Sequence, residues 1–380
     1  MSETWVRGFG AVTPAGVGVE ALAEALADPD WNRTDHLERV GGPPLPVRAC
    51  RDFQPRDHFP PLVARRLDRP ARLLAVAARE ALAAAGAELP WPRERVGVSA
   101  GTWNAGGEAM YEVVRTVLTI APEDAPPMLF PSTVANAAAS QLGILEKLAG
   151  PNLTHTEKQA SGLRAIVEAG RLLARGRAEA VLACGVDEAH WTYVEAYDRL
   201  RALHRPGRAG TVPGEGAVVL LLAATPGARP LGRIAGWGAA SAPAPPHRYP
   251  DTAGPVVAAC RAALRRARLE AADVDLVVSL ANGVPELDRL EREALEAVLG
   301  SHHPAALAVS DRLGEGGCAA AERALTALLV LAGRLPTPWP APASLAAAGF
   351  PSLAGRTPRV ALVPAQSTGG SALAIVVTAP

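Results

Sequence analysis

Apolar runs and helical stripes alternate along this chain. The apolar stretch Thr4–Val12 predicts a first strand, ending in the turn-prone Thr13-Pro14-Ala15-Gly16 and followed by a helix over Val19–Ala27. Leu74, Ala77, Ala78, Ala81, Leu82 and Ala85 recur at the spacing of one helix face. They predict a helix over Ala71–Ala85, with Gly86 as its stop. Val96–Ala100 reads as a short strand, Glu108–Leu118 and Ala137–Leu148 as helices, and Ala121–Pro131 as a Pro-rich connection. Thr154–Thr156 reads as a strand running into Glu157-Lys158-Gln159-Ala160-Ser161-Gly162. The helix Leu163–Arg175 follows, with Leu163, Ile166, Val167, Gly170 and Leu173 on one face. Ala180–Cys184 and Ala217–Ala223 are continuous apolar runs suited to buried strands. Residues 28–60, rich in Pro, Asp and Arg, read as irregular connection.

The second half repeats this plan. Leu231–Trp237, Val274–Leu280, Ala306–Ser310, Val360–Pro364 and Ala372–Val377 read as strands. Pro255–Ala267, Leu287–Leu299 and Cys318–Leu331 read as helices. Each half has a strand, a Gly-containing elbow and an Ala-rich helix near its centre: Gln159–Gly162 in the first and Gly314–Gly317 in the second. Strands alternating with helices predict a mostly parallel α/β sheet, duplicated within the chain, with halves over 1–225 and 226–380.

Composition narrows the function classes. With 49% hydrophobic and 20% charged residues over 380 positions, the chain is expected to fold almost throughout. Lys+Arg and Asp+Glu both number 38, so neither a basic nucleic-acid binder nor an acidic tail is expected. Lys147 and Lys158 are the two lysines; arginine carries the rest of the positive charge. Cys50, Cys184, Cys260 and Cys318 form no C-x-x-C pair and lie near no clustered His pair, which argues against zinc and a disulfide framework. The opening MSETWVRGFGAVTP lacks a signal-peptide pattern and no apolar run reaches membrane-spanning length, so a cytoplasmic protein is expected.

Several stretches in order resemble the β-ketoacyl-ACP synthase branch of the thiolase superfamily. They are Leu67-Asp68-Arg69 with the helix ending Ala85-Gly86, and Gly150-Pro151-Asn152 through Gln159-Ala160-Ser161-Gly162-Leu163 and on to Gly176–Ala180. Pro213-Gly214-Glu215-Gly216-Ala217 and the terminal Gly369-Gly370 turn complete the series. The resemblance covers essentially the whole chain. It implies a five-layered αβαβα thiolase fold with two pseudo-duplicated halves, normally dimeric, and no cofactor or metal.

The departures from that pattern carry the functional reading. The family's elbow nucleophile is a cysteine, whose thiolate is favoured at a helix N-terminus. Here the matching residue is Gln159, and a carboxamide is no nucleophile at neutral pH, though it can still donate and accept hydrogen bonds. The resemblance places the family's two histidines at Asn282 and Glu315, and its lysine at Ser310. The eight histidines of the chain lie off these positions. Cys318 and Cys184 are the candidates for a displaced nucleophile, although small buried cysteines are common. A buried Glu315 needs a partner, and Arg312 is near in sequence.

Gln at the cysteine position is also the signature of chain-length factors, the non-condensing partners in type II polyketide synthases. The resemblance then implies a heterodimer with an active ketosynthase, an acyl carrier protein as further partner, and a share in the acyl tunnel at the dimer interface. The matching segment is Gly107–Thr119. Glu108, Tyr111 and Arg115 share one helical stripe, and Met110, Val113 and Val117 the adjacent one; Val114 is a further candidate for the tunnel or interface. Packing at the interface alone is the plainer role for any one of them. Alternatives are a malonyl-ACP decarboxylase of the Gln-for-Cys type, a thiolase-fold enzyme with a different site, and a scaffold that holds carrier protein. The first of these needs enolate stabilisation that Asn282 and Glu315 do not obviously supply. No G-x-S-x-G supports the second.

Overall fold

A computed structural model describes residues 3–28, 30–39, 42–86, 89–335, 339–355 and 357–380. Its strands in chain order are β1 (Thr4–Thr13), β2 (Gly16–Val17), β3 (Asp35–Leu37), β4 (Leu45–Val47), β5 (Val96–Gly101), β6 (Asn152–His155) and β7 (Ala180–Asp187). They continue with β8 (Gly216–Ala223), β9 (Gly232–Ser241), β10 (Leu276–Val278), β11 (Ala305–Leu307), β12 (Val360–Gln366) and β13 (Ser371–Thr378). The main sheet runs β11-β10-β12-β13-β9-β1-β8-β7-β5-β6, with β2 paired to β1.

The duplication is explicit in the pairing. In the first half β1 pairs antiparallel with β8, β8 antiparallel with β7, and β7, β5 and β6 follow in parallel. In the second, β9 pairs antiparallel with β13, β13 antiparallel with β12, and β12, β10 and β11 follow in parallel. The two sets join where Thr4–Val6 of β1 pairs with Gly232–Ile234 of β9.

Helices cover both sets on both faces. The run Ala217–Ala223 shows why its residues are all apolar. Ala217, Val219 and Leu221 face the outer core with the helix Arg69–Ala83, while Val218, Leu220 and Leu222 face the central core. A strand buried on both faces loses the usual alternation. The central core is filled by the helices Ser161–Ala174 and Ala319–Leu331, and every residue of the second is buried. The helices Gly254–Ala267 and Pro285–Leu299 close the other side. The result is the five-layered αβαβα order of the thiolase fold.

Four local readings are corrected. The stretch 28–60 is not wholly irregular: Asp35–Leu37 and Leu45–Val47 form a hairpin. A helix over Trp191–Arg199 went unread in sequence, its apolar residues being interrupted by Glu195, Asp198 and Arg199. Ser310 opens a short helix, Ser310–Leu313, instead of ending a strand. The helix expected at Ala71 starts earlier, at Arg69, because Asp68 caps it by accepting from the backbone N–H of Ala71 at 2.9 Å.

The two central helices meet at a glycine. A Cβ on Gly162 would lie 2.7 Å from the Ala321 backbone nitrogen and 2.9 Å from its Cβ. Gly170, on the same helix, has only the Thr4 side chain nearby, at 3.4 Å. Gly162→Ala is therefore expected to lower folding stability by about 1–3 kcal/mol through overpacking. Gly170→Ala should leave it unchanged or raise it by about 0.5–1 kcal/mol. Denaturant unfolding of the two variants, side by side, checks the contact.

Candidate functional site

The site forms where the elbows converge. The first elbow is a single 3₁₀ turn, Lys158–Ala160, leading directly into the helix Ser161–Ala174. Lys158 takes a left-handed φ of 52° there, and its ammonium donates to Thr368 O at 3.0 Å and to Pro246 O. Ser161 Oγ donates to Thr102 O, and the Gly162 N–H donates to Gly317 O at 2.9 Å, joining the first elbow to the second. Asp187, at the end of β7, accepts from Thr102 Oγ1, Trp103 N, Asn104 N and Gly317 N. The Pro-Gly-Glu-Gly loop supports the second elbow: Gly214 N donates to Glu315 O, and Glu315 N to Val212 O, each at 2.9 Å. Glu215 of that loop accepts from Cys50 N and is ion-paired with Arg69.

Three of the four positions marked in the sequence come together through Tyr249. Gln159 is buried, its Oε1 accepting from Thr368 N at 3.3 Å and its Nε2 lying 3.4 Å from the Tyr249 hydroxyl. Asn282 lies close enough to the Tyr249 hydroxyl to pull its pKa down against the rise that burial causes. Its Nδ2 donates to Glu315 Oε2 at 2.8 Å, and its Oδ1 accepts from Val284 N. Glu315 Oε1 accepts from Gly316 N at 3.1 Å. Burial pushes the Glu315 carboxyl up, while the nearby Arg323 charge and the bonds from Asn282 and Gly316 pull it back.

Ser310, the fourth position, stands apart and accepts from Arg323 at 3.2 Å. Sequence reasoning missed Arg323, a buried cation inside a helix that otherwise reads as apolar. A guanidinium from the following helix thus reaches Ser310, where the resemblance places the counterpart of the family's lysine. Arg312 is not the partner of Glu315; it donates to Asp28 O and lies over the Trp339 ring.

Neither cysteine candidate for a displaced nucleophile is suited to act as one. Cys184 and Cys318 are fully buried, and burial raises both thiols far above their ordinary range, so neither offers a thiolate. A cavity of about 760 Å³ opens beside Gln159, with Trp103, Tyr193, Tyr197, Tyr249 and Thr368 among its walls. Asn282 and Glu315 are outside that lining. Tyr193 and Tyr197 come from the unread helix 191–199. No spacing signal marks Tyr249, which lies between named elements. Among the described residues, no group of three His, Cys, Asp or Glu is placed to hold a metal, and no helix is long and apolar enough to cross a membrane.

The candidate tunnel residues separate around their helix, Gly107–Thr119. Met110, Val114 and Val117 are exposed, and Glu108 also lies at the surface. Tyr111 turns the other way and packs against the rings of His190 and Trp191. Arg115 is ion-paired with Glu112, and Val113 is half-buried.

This architecture is that of a thiolase-fold condensing-enzyme scaffold. The β-ketoacyl synthase N-terminal domain matches residues 2–227 and the C-terminal domain residues 231–336, so the chain belongs to the β-ketoacyl synthase family. It is similar to Nodulation protein E of Rhizobium sp. (strain N33), 34% identical over 250 residues, which is 62% of each chain. It is similar also to 3-oxoacyl-[acyl-carrier-protein] synthase 2 of Staphylococcus aureus, 28% identical over 324 residues and 78% of each chain. Among solved structures, the ishigamide ketosynthase/chain length factor superposes with TM-score 0.89 at 20% identity, covering 100% of this chain and 99% of that one. The ketosynthase ApeO in complex with its chain length factor ApeC, from Xenorhabdus doucetiae, gives 0.81 at 20% identity, covering 100% and 98%.

Behind the site, Glu322 is fully buried beside Cys318, and burial raises its carboxyl to about 8. A carboxyl raised in the folded state stabilises the fold in its neutral form, below its ordinary pKa of 4.5. That contribution is lost as pH rises through about 8. Glu322→Gln keeps the shape without the titration. Wild type should therefore lose stability relative to this variant as pH rises from about 4.5 to about 8. The loss should reach a few kcal/mol, at roughly 1.4 kcal/mol for each tenfold difference in proton affinity between the folded and unfolded chain. Unfolding of both proteins across that range measures it.

Proposed function

We propose that this chain is a non-condensing, chain-length-factor subunit that pairs with an active ketosynthase and shapes its acyl tunnel in type II polyketide or polyene biosynthesis. The observation that carries this reading is the Gln159–Tyr249–Asn282–Glu315 network. Condensation needs a nucleophile to hold the acyl chain and donors to stabilise the enolate formed on decarboxylation. Gln159 supplies no nucleophile. The Asn282 amide nitrogen is committed to Glu315 Oε2 and so is not free to donate to an enolate. Tyr249 lines the cavity, while Asn282 and Glu315 are outside its lining.

The surface of the segment from Gly107 to His155 also supports a subunit role. Met110, Val114, Val117, Leu118, Ile120, Met128, Phe130, Val134, Ile144 and Leu153 are all exposed, ten of the twelve large exposed hydrophobic residues among those described. They follow one another along contacting elements and reach β6, an edge strand of the sheet with unpaired backbone groups. Such a surface calls for a stable partner. The relatives named as acyl-carrier-protein synthases point to carrier protein as the donor of substrate to that pair.

Purified alone, the chain is expected to show no condensation of acyl and malonyl thioesters. Gln159→Cys by itself should not create it, because Asn282 and Glu315 leave the enolate unsupported; radiolabelled elongation by this variant would sink the proposal. Carbon dioxide release from malonyl-ACP by the lone chain would favour the decarboxylase reading instead, and carrier-protein capture without a synthase would favour a scaffold. Met110→Asp combined with Val114→Asp should weaken the complex with a co-expressed ketosynthase by about tenfold or more. Size-exclusion mass measurement reads that loss.

A further inference from the structure

A second cleft lies away from Gln159, at the seam where β1 pairs with β9. It has a volume of about 290 Å³ and is bounded by the C-terminal ends of the helices Ser161–Ala174 and Gly254–Ala267. Arg171, Arg233, Arg266 and Arg268 line it, with Glu3 as the carboxylate of the lining. Arg171 and Arg266 lie over the ring of Trp237, which is also in the wall, at 5.0 and 3.8 Å.

The charges do not balance. Arg233 is ion-paired with Glu3, and Arg171 with Glu168. Arg266 donates to the Trp237 carbonyl and is crowded by Arg171 and Arg265. Arg268 makes no side-chain hydrogen bond among the described residues, and its side chain is exposed beside the cleft. Two helix C-termini offset roughly half a charge each. Four guanidinium groups line the cleft against two carboxylates, so Arg266 and Arg268 have no carboxylate partner among the described residues, and the helix dipoles offset part of their charge. The chain as a whole has a formal net charge of zero, so this surplus is local.

We propose that this cleft binds a small phosphate dianion, either free phosphate or a phosphate monoester. Arginine forks match phosphate oxygens in pairs, and the two arginines without a carboxylate partner suit a phosphate group. The volume admits a phosphate with a short substituent. The cleft lies between the two halves, so an occupant would tie their seam together. Binding here is independent of the chain-length-factor role.

Arg268 makes the test clean. It sits at a left-handed φ of 59°, where glycine is the favoured residue, so Arg268→Gly removes the guanidinium without straining the fold. At low ionic strength, calorimetric titration of the full chain with inorganic phosphate, and separately with glycerol 3-phosphate, should give saturable binding. Trp237 should report it by a change in emission that is absent in Trp237→Phe. Arg268→Gly should keep its melting temperature and lose affinity by about tenfold. Tighter binding of the ester than of free phosphate would assign the site to esters, and the reverse to the free ion. Absence of saturable heat in the millimolar range, or equal affinity in Arg268→Gly, overturns the proposal.

Discussion

The close approach of the two central helices governs the rest of the molecule. Gly162 has no side chain, so the Ala321 backbone can lie against it, and the Gly162 N–H can reach Gly317 O. That contact sets the distance between two elbows that lie far apart in sequence. Once they are together, Asp187 can bond across to Gly317 and the segment Val212–Gly214 can hold Glu315. The site is therefore a product of the duplication: neither half contains it.

Electrostatics explains how a site without a thiol and imidazoles stays stable. A carboxylate buried at position 315 is costly unless it is bonded and faces a positive charge. Asn282 and Gly316 provide the bonds, and Arg323 the charge. Arg323 also donates to Ser310, so one guanidinium serves both positions. Within this set the polar groups of Asn282, Glu315 and Gly316 satisfy one another.

The sequence was informative where local pattern and burial agree. The helix over Val19–Ala27 and the strands at 217–223 and 372–377 lie close to where their apolar spacing predicts, since each buries that pattern in full. It was least informative where contacts decide. The helix Trp191–Arg199 mixes aromatic and charged residues, and its apolar face is defined only by Trp103 and the short hairpin beneath it. Tyr249 and Thr368 belong to segments with no period, yet they supply both partners of Gln159.

By itself the sequence determined the duplicated α/β plan, the order of the family's motifs and the residue types at the elbows. Those follow from periodicity and chemistry within short segments. Only the tertiary structure decided that Gln159, Asn282 and Glu315 join through Tyr249, that Ser310 belongs with Arg323, and that Met110 and Val114 face outward while Tyr111 faces in. Such choices depend on distances between residues far apart in the chain, and no local pattern encodes them. The exposed apolar surface is likewise a property of packing: Met110 and Val114, tunnel or interface candidates in the sequence, lie uncovered, and so does Ile144.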